Sequence, residues 1–488
     1  VPKKPIVSFV VPVYKKPPEV FRRCLKSLFD SSLKEIEVIL VFDGPNEELE
    51  AVAKEFKEAK VHVQPHSGAP SARNLGMGYA HGEFLWFWDA DCYIKPDHAK
   101  RMVEEFRAVP DADFVYSACE MGEGGGESHV EPFDAYSLQS GNYITSMAPV
   151  RRSKAPRWDE TLEAAQDWDY WLTATELGLK GVMVEGAGFI TDTYDSGLSS
   201  VKWSNENRDN TIFTVRHKHG IPDREIGVYS MNYRAMGIKL ARILNADVIK
   251  PTGPTPTVYK MIINLGYSPM SRFERFKDDL VKIQYWLPGE VEGIRAPDAK
   301  YQTVLETVRI AKQVINYCGT QYEANRLAEI GIKAEVMPLP LEEGDADKVA
   351  KDLPEKFKIL LATDKSYGEL LKDIHKDLPH IEFLYNAAKV ADFSCYMAFY
   401  QFAALDTAML TAHVNGRNVI SNVQAPYCGF VDPDQSWEKF KKDLFDKIAE
   451  VSKLPFNAEA QEYYLKEAHP AKFREAIQGL LKKELVLV

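Results

Sequence analysis

Hydrophobic positions in the first half of the chain fall into short runs separated by amphipathic stretches, and that alternation predicts strands and helices in turn. VSFVVPVY (7–14) is a near-continuous β-branched run. Pro17 and Pro18 then open the amphipathic EVFRRCLKSLFDS, followed by the strand IEVILVFDG (36–44), the charged helix NEELEAVAKEFKEA and the short strand VHVQP. FLWFW (84–88) and FVYSACEM (114–121) predict two more strands, and RWDETLEAAQDWDYWLTATELG (157–178) an amphipathic helix with Trp168, Trp171 and Leu172 on one side. The glycine-rich GEGGGE (122–127) between them reads either as a lid or as a solvent-exposed turn. Strands this apolar on both faces belong to a mostly parallel sheet covered by helices on each side. Ligands bind such sheets beyond the carboxyl ends of the strands, where Tyr14, Asp43 and Asp89 to Asp91 all fall.

Around VKWSNENRDN (201–210) the pattern turns polar, and the alternation restarts after GIPDREIG (220–227). GIKLARILNADVIKPTG (237–253) predicts helix, strand and loop; KMIINLGYS (260–268) and VKIQYWLPGE (281–290) predict strands; EANRLAEIGIKAEVMPLP (323–340) predicts helix, strand and a proline-marked exit. A further unit runs through the strands KFKILLATD (356–364), HIEFLYN (380–386) and VADFSCYMA (390–398). It continues with the helix ALDTAMLTAHVNG (404–416), the strand RNVISN (417–422) and lysine-rich helices from Trp437 onward. The fold class expected is α/β throughout. With 488 residues, more than one hydrophobic core usually serves, the expected domains are 1–222, 223–345 and 346–488.

Composition narrows the function classes. The content is 45% hydrophobic, with no apolar run of membrane-spanning length, and the apolar part of VPKKPIVSFVVPVY is too short for a signal peptide, so a soluble protein is expected. A net charge of -11 disfavours a broad nucleic-acid-binding surface. The six cysteines lie far apart with no C-x-x-C spacing, which points to neither a zinc site nor a disulfide framework and suggests a reducing, cytoplasmic compartment.

The tripeptide DAD occurs at 89–91, 111–113 and 345–347, so alone it is weak. The first copy differs because it ends the aromatic run FLWFW, and carboxylates at the end of a buried strand need a partner. A divalent ion bound to phosphate is such a partner: charge accumulates on a nucleotide diphosphate as a sugar bond breaks, and hard oxygen ligands suit Mg2+ or Mn2+.

VVPVY, EVILVFDG, SGAPSARNLGMGYAHGEFLWFWDAD and QDWDYWL occur in the order and spacing of glycosyltransferase family 2, which the chain resembles over residues 5–200. The resemblance implies a GT-A domain with a Rossmann-like, mostly parallel sheet. It further implies an inverting, metal-dependent transfer from a nucleotide-diphosphate sugar, a UDP-sugar by default, to an acceptor hydroxyl. It assigns Asp89 to the ribose, Asp91 to the metal, Asp43 to the base, Pro12 and Tyr14 to the walls of the nucleotide pocket and Arg73 to the vicinity of the phosphates. The general base falls on Asp167, with Gln166 where the family carries glutamate; Asp169 is a rival by proximity, and its family counterpart is structural. Many relatives add a histidine ligand after this helix. ITDTYDSGLSS (190–200) has none, leaving Asp195, or less favourably Asp192, as an oxygen ligand. Bland readings compete: a turn residue for Asp43, a helix surface charge for Arg73, and helix-dipole acids for Asp167 and Asp169.

Residues 228–470 resemble, more faintly, GT-B glycosyltransferases of the family 4 kind, through LAEIGIKAEVMPLP and TAHVNGRNVISN. A GT-B-like pair of Rossmann-like domains is therefore expected. Aligned on Gly416, the two donor-binding glutamates of that family are replaced by Ala403 and Thr411, which favours a degenerate half that binds or orients the acceptor over a second active centre. Tyr285 and Trp286 read as a ligand platform or as core. Glycan or lipid-linked saccharide acceptors are implied, with a modified base in viral DNA less favoured. A nucleotidyltransferase is the rival enzyme class, disfavoured because PVYKKPPEV is not a glycine-rich phosphate loop, and a non-catalytic nucleotide-sugar sensor is the third reading.

Overall fold

The computed structural model describes residues 4–192, 205–230, 233–249, 259–266, 280–287 and 301–340. Beyond these it describes 358–363, 378, 382–385, 395–399, 409, 412–413, 415–421, 426–432 and 436–485. The chain divides into two compact units, Val1–Asp223 and Arg224–Val488.

The first unit is built on eight strands: β1 (Val7–Val13), β2 (Ile36–Asp43), β3 (Lys60–Gln64), β4 (Phe84–Phe87), β5 (Cys92–Ile94), β6 (Phe114–Met121), β7 (Val150–Arg151) and β8 (Gly181–Thr191). They are ordered β3-β2-β1-β4-β7-β6-β8-β5. The first four are parallel, and β7 runs antiparallel to both β4 and β6, so the sheet is mixed. Alternation along the strands fills two cores. Phe9, Val11, Leu40, Phe42, Phe84 and Trp86 face one, while Val10, Ile39, Val41, Leu85 and Phe87 face the other. That two-sided burial is why the runs were continuous rather than alternating.

Helices α1 (Pro18–Phe29), α2 (Glu47–Lys54), α3 (Ala69–Tyr79), α4 (His98–Ala108), α5 (Ala135–Gln139), α6 (Gln166–Glu176) and α7 (Asn205–Lys218) belong to the same unit. Pro18 starts α1, where its missing N–H costs nothing, and Phe21, Cys24, Leu25 and Leu28 form the buried face. Helix α3 lies unusually close to the sheet: a Cβ on Gly76 would sit 2.4 Å from Val10 Cγ1. That approach sets the depth of Arg73 and Asn74, one turn earlier.

The helix expected over 157–178 begins only at Gln166. Asn74 clamps the backbone of Trp158 through both its N–H and its C=O, and Asp159 caps the N–H of Thr161, so 157–165 is a pinned loop. Ala165, in the left-handed region at φ 52°, turns that loop into α6. The glycine-rich stretch takes the turn form. Met121 N–H bonds to Gly126 O, Gly125 N–H to Gly122 O, and Gly124 N–H to the Glu120 carboxylate.

In the second unit, two all-parallel sheets follow, giving the GT-A-like plus GT-B-like α/β architecture. One is ordered β10-β9-β11-β12-β13-β14, from β9 (Ile226–Tyr229), β10 (Asp247–Ile249), β11 (Met261–Leu265), β12 (Val281–Trp286), β13 (Ile315–Cys318) and β14 (Glu335–Val336). The other is ordered β16-β15-β17-β18-β19, from β15 (Lys358–Thr363), β16 (Glu382–Tyr385), β17 (Cys395–Phe399), β18 (Asn418–Ser421) and β19 (Cys428–Phe430). Tyr285 and Trp286 are buried in β12, with Trp286 Nε1–H bonded to Asn316 and Tyr285 Oη–H to Met337 O. They are core, and the platform reading is withdrawn. Ala403 and Thr411 lie outside the described residues. All six cysteines are free thiols, and among the described residues no helix is long and apolar enough to cross a membrane.

Candidate active site

The carboxyl ends of β1, β2 and β4 carry Tyr14, Asp43 and Asp89, as the strand pattern predicts. Asp43 is buried, and its carboxylate accepts four hydrogen bonds, from Gln64 Nε2 (2.9 Å), His66 Nδ1 (2.7 Å), Ser67 N–H (2.7 Å) and Gly68 N–H (3.0 Å). Burial works against its charge, but the bonds from Ser67, Gln64, His66 and Gly68 outweigh that and hold its carboxyl below the ordinary range. These bonds occupy all the acceptor directions of a carboxylate. Asp43 is thus the anchor of the β3–α3 loop, and a base reaches it only by displacing a donor. Asp43→Ala strands those donors, so thermal unfolding should show unit one destabilised by roughly 2–4 kcal/mol at neutral pH. The difference from wild type should shrink below about pH 4, as the wild-type carboxylate itself takes up a proton.

Pro12, half-buried, is the penultimate residue of β1. Tyr14 is 40% exposed, and its ring stacks on His66 at 4.3 Å and 7°. The two rings make a flat wall beside the strand ends, held on one side by the His66–Asp43 bond. Lys15 follows in the left-handed region at φ 41°, and Lys16 forms an ion pair with Asp91.

Arg73 is buried rather than on the helix surface. Its guanidinium lies 4.4 Å from the Trp158 ring, donates to Asp89 Oδ1 at 3.0 Å and reaches Gln166 Oε1 at 3.4 Å. The other Asp89 oxygen accepts from Ser146 Oγ at 3.3 Å. Asp89, Arg73 and the start of α6 are therefore one connected group, drawn from a strand end, a helix and a second helix.

Asp167, half-buried in the first turn of α6, accepts from Asn142 Nδ2 (2.8 Å) on one oxygen and from its neighbour's N–H, that of Trp168 (3.0 Å), on the other. Burial pushes its carboxyl above the ordinary range, Asp89 adding to the shift and Arg73 opposing it. Asp169 points elsewhere: it is buried and bonded to His219 Nε2 (2.8 Å) and Lys218 Nζ (2.6 Å). It ties α6 to the end of α7, leaving Asp167 as the acid of α6 in the site.

Antiparallel pairing of β5 with β8 brings Asp192 beside Asp91, with Asp192 N–H donating to Asp91 O at 3.0 Å. Asp195 lies outside the described residues. Among the described residues no group of three or more His, Cys, Asp or Glu side chains could hold a metal ion. The donor set fits a magnesium-type site instead, in which one or two carboxylates share the ion with substrate phosphates.

Sequence reasoning missed Lys16, His66, Asn142, Ser146 and Trp158. His66 and Lys16 flank quoted motifs. Asn142 and Ser146 sit in a loop without periodicity, where only the adjacent Gly141 marks a turn.

A mixed sheet with carboxylates at this edge defines a GT-A-like domain. Residues 8–146 match the family described as Glycosyl transferase family 2. The chain is 35% identical over 105 residues to the uncharacterized glycosyltransferase EpsJ of Bacillus subtilis (strain 168), a match covering 21% of this chain and 30% of EpsJ. Among solved structures, S. aureus TarS 1–349 in complex with UDP-GlcNAc is similar at 17% identity and a TM-score of 0.38, covering 43% of this chain and 66% of that one. Mannosyltransferase PcManGT from Pyrobaculum calidifontis, solved with GDP-Man and Mn2+, is similar at 14% identity and a TM-score of 0.35, covering 46% and 66%.

Proposed function

We propose that the N-terminal unit transfers a sugar from a nucleotide-diphosphate sugar, UDP-linked by preference, to an acceptor hydroxyl with inversion at the anomeric carbon. The observation that carries this reading is the grouping of Asp89, Arg73 and Gln166 with Asp167 on the next residue. It joins an acid that can hold a ribose hydroxyl to a carboxylate of raised basicity. The Tyr14–His66 wall and Pro12 border the nucleotide. Arg73 provides a fixed cation toward the phosphates. Asp91, with Asp195 or Asp192 as a further oxygen donor, would hold Mn2+ or Mg2+; the ion supplies charge neutralisation at the leaving diphosphate. Asp167 takes the proton of the acceptor hydroxyl as that oxygen attacks the face opposite the leaving group.

The C-terminal half, taken as domains 223–345 and 346–488, binds or orients the acceptor, a glycan or lipid-linked saccharide. The full-length protein assayed against a panel of nucleotide sugars, with Mn2+ or with EDTA, tests the reading. Turnover of one UDP-sugar that needs the ion, with an inverted product anomer by NMR, is expected. Full activity in EDTA or a retained anomer would sink it.

A further inference from the structure

Three buried tryptophans fasten one loop. Trp168 Nε1–H donates to Leu138 O (2.7 Å), Trp171 Nε1–H to Thr145 O (3.1 Å) and Trp86 Nε1–H to Met147 O (2.8 Å). A buried indole needs an acceptor, and here each takes a carbonyl of the same ten-residue segment, 138–147. Between the fastenings the segment presents Asn142 to Asp167 and Ser146 to Asp89. The amide of Asn142 is not free to rotate: its Oδ1 accepts from Ile144 N–H at 3.1 Å, and its Nδ2 donates to Ile144 O at 2.8 Å. With the carbonyl side committed to the backbone, the amino side faces Asp167.

We infer that Asn142 is a positioning residue for Asp167: its amide holds one carboxylate oxygen by a donated bond, fixes the carboxylate plane and favours its ionised form. Trp168 N–H holds the other oxygen, so each keeps one acceptor direction for the substrate hydroxyl. The charged groups that act on Asp167 are Arg73 from α3, which opposes protonation, and Asp89 beyond β4, which favours it. Because the Asn142 bond is neutral and short-ranged, it tunes Asp167 without adding charge near the donor phosphates. This inference rests on the reading of Asp167 as the base.

Asn142→Asp and Asn142→Ser separate the two jobs of the side chain. Both can still accept from Ile144 N–H, which retains one of the two bonds that close the turn, but neither offers the amide donor, and the first adds a like charge beside Asp167. Full-length protein labelled with [4-13C]aspartate, with the Asp167 resonance assigned by its loss in Asp167→Asn, reads the titration directly. Asp167 is expected to titrate at higher pH in both variants, further in Asn142→Asp, and the acid limb of transfer should move the same way. Transfer at the pH plateau should fall about tenfold with donor KM unchanged. An unmoved Asp167 resonance in Asn142→Asp, while Asp167→Asn is inactive, overturns the inference alone. Full transfer by Asp167→Asn overturns the base reading and the inference with it.

Discussion

Asp167→Asn is expected to leave donor binding intact and to lower transfer by about two or more orders of magnitude, the size of a general-base contribution. Asparagine keeps the shape and can still accept from Trp168 N–H, but it cannot take a proton. The wild-type pH profile carries the same signature. Burial raises the Asp167 carboxyl, so transfer should fail on acidification at a higher pH than an ordinary aspartate, near 3.9, would dictate. A second readout guards against unfolding as the cause. A carboxyl whose folded pKa is raised favours the fold most at low pH and weighs against it once pH exceeds that pKa. The neutral amide removes that cost but gives up the bond from Asn142 Nδ2, since its own NH2 now faces that donor, so the variant should melt close to wild type at neutral pH. An inactive variant that also melts early would point to lost structure. Unaltered turnover would remove Asp167 from catalysis and leave a sensor or a different base.

What could be read beforehand divides along physical lines. The strand FLWFW was legible because burial on both faces demands a continuous apolar run, and its terminal acids stood out against that background. The strands Ile226–Tyr229, Ile315–Cys318 and Cys428–Phe430 were not, since Gly227, Asn316 and Gly429 interrupt runs of only three or four residues and leave no continuous apolar stretch to stand out. The start of α6 was misplaced for a different reason. Trp158 lies at a spacing compatible with a helical face, yet what decides its conformation is Asn74, 84 residues away in sequence. The site shows the same division. Asp89 followed a recognisable strand and Asp167 lay in the quoted QDWDYWL, whereas the meaning of Arg73 depended on Gly76 letting α3 approach the sheet, a tertiary fact that a helical pattern does not encode. Asn142 and Ser146 owe their place to tryptophans that looked like ordinary core residues. Their indole N–H groups, rather than their volume, connect them to the site.

Asp91→Ala in the full-length protein should abolish every glycosyl transfer, and with it the metal-dependent part of nucleotide diphosphate binding by calorimetry. The effect is this large because Asp91 occupies the turn between β4 and β5, from which a carboxylate can meet the leaving diphosphate. Removing it also releases Lys16 from its ion pair, placing an extra ammonium near the phosphates. That cation can retain some metal-independent nucleotide affinity, so binding measured without EDTA would understate the loss, and the comparison must be made with and without the ion. Lys16→Met in the Asp91→Ala background removes this residue of affinity and isolates the contribution of the carboxylate. Transfer is the sharper test, because a bound donor whose leaving group is not neutralised still does not react. If a different sugar were transferred at the wild-type rate by Asp91→Ala, the second unit would be an active glycosyltransferase in its own right, and the chain a two-headed enzyme that adds two sugars in turn.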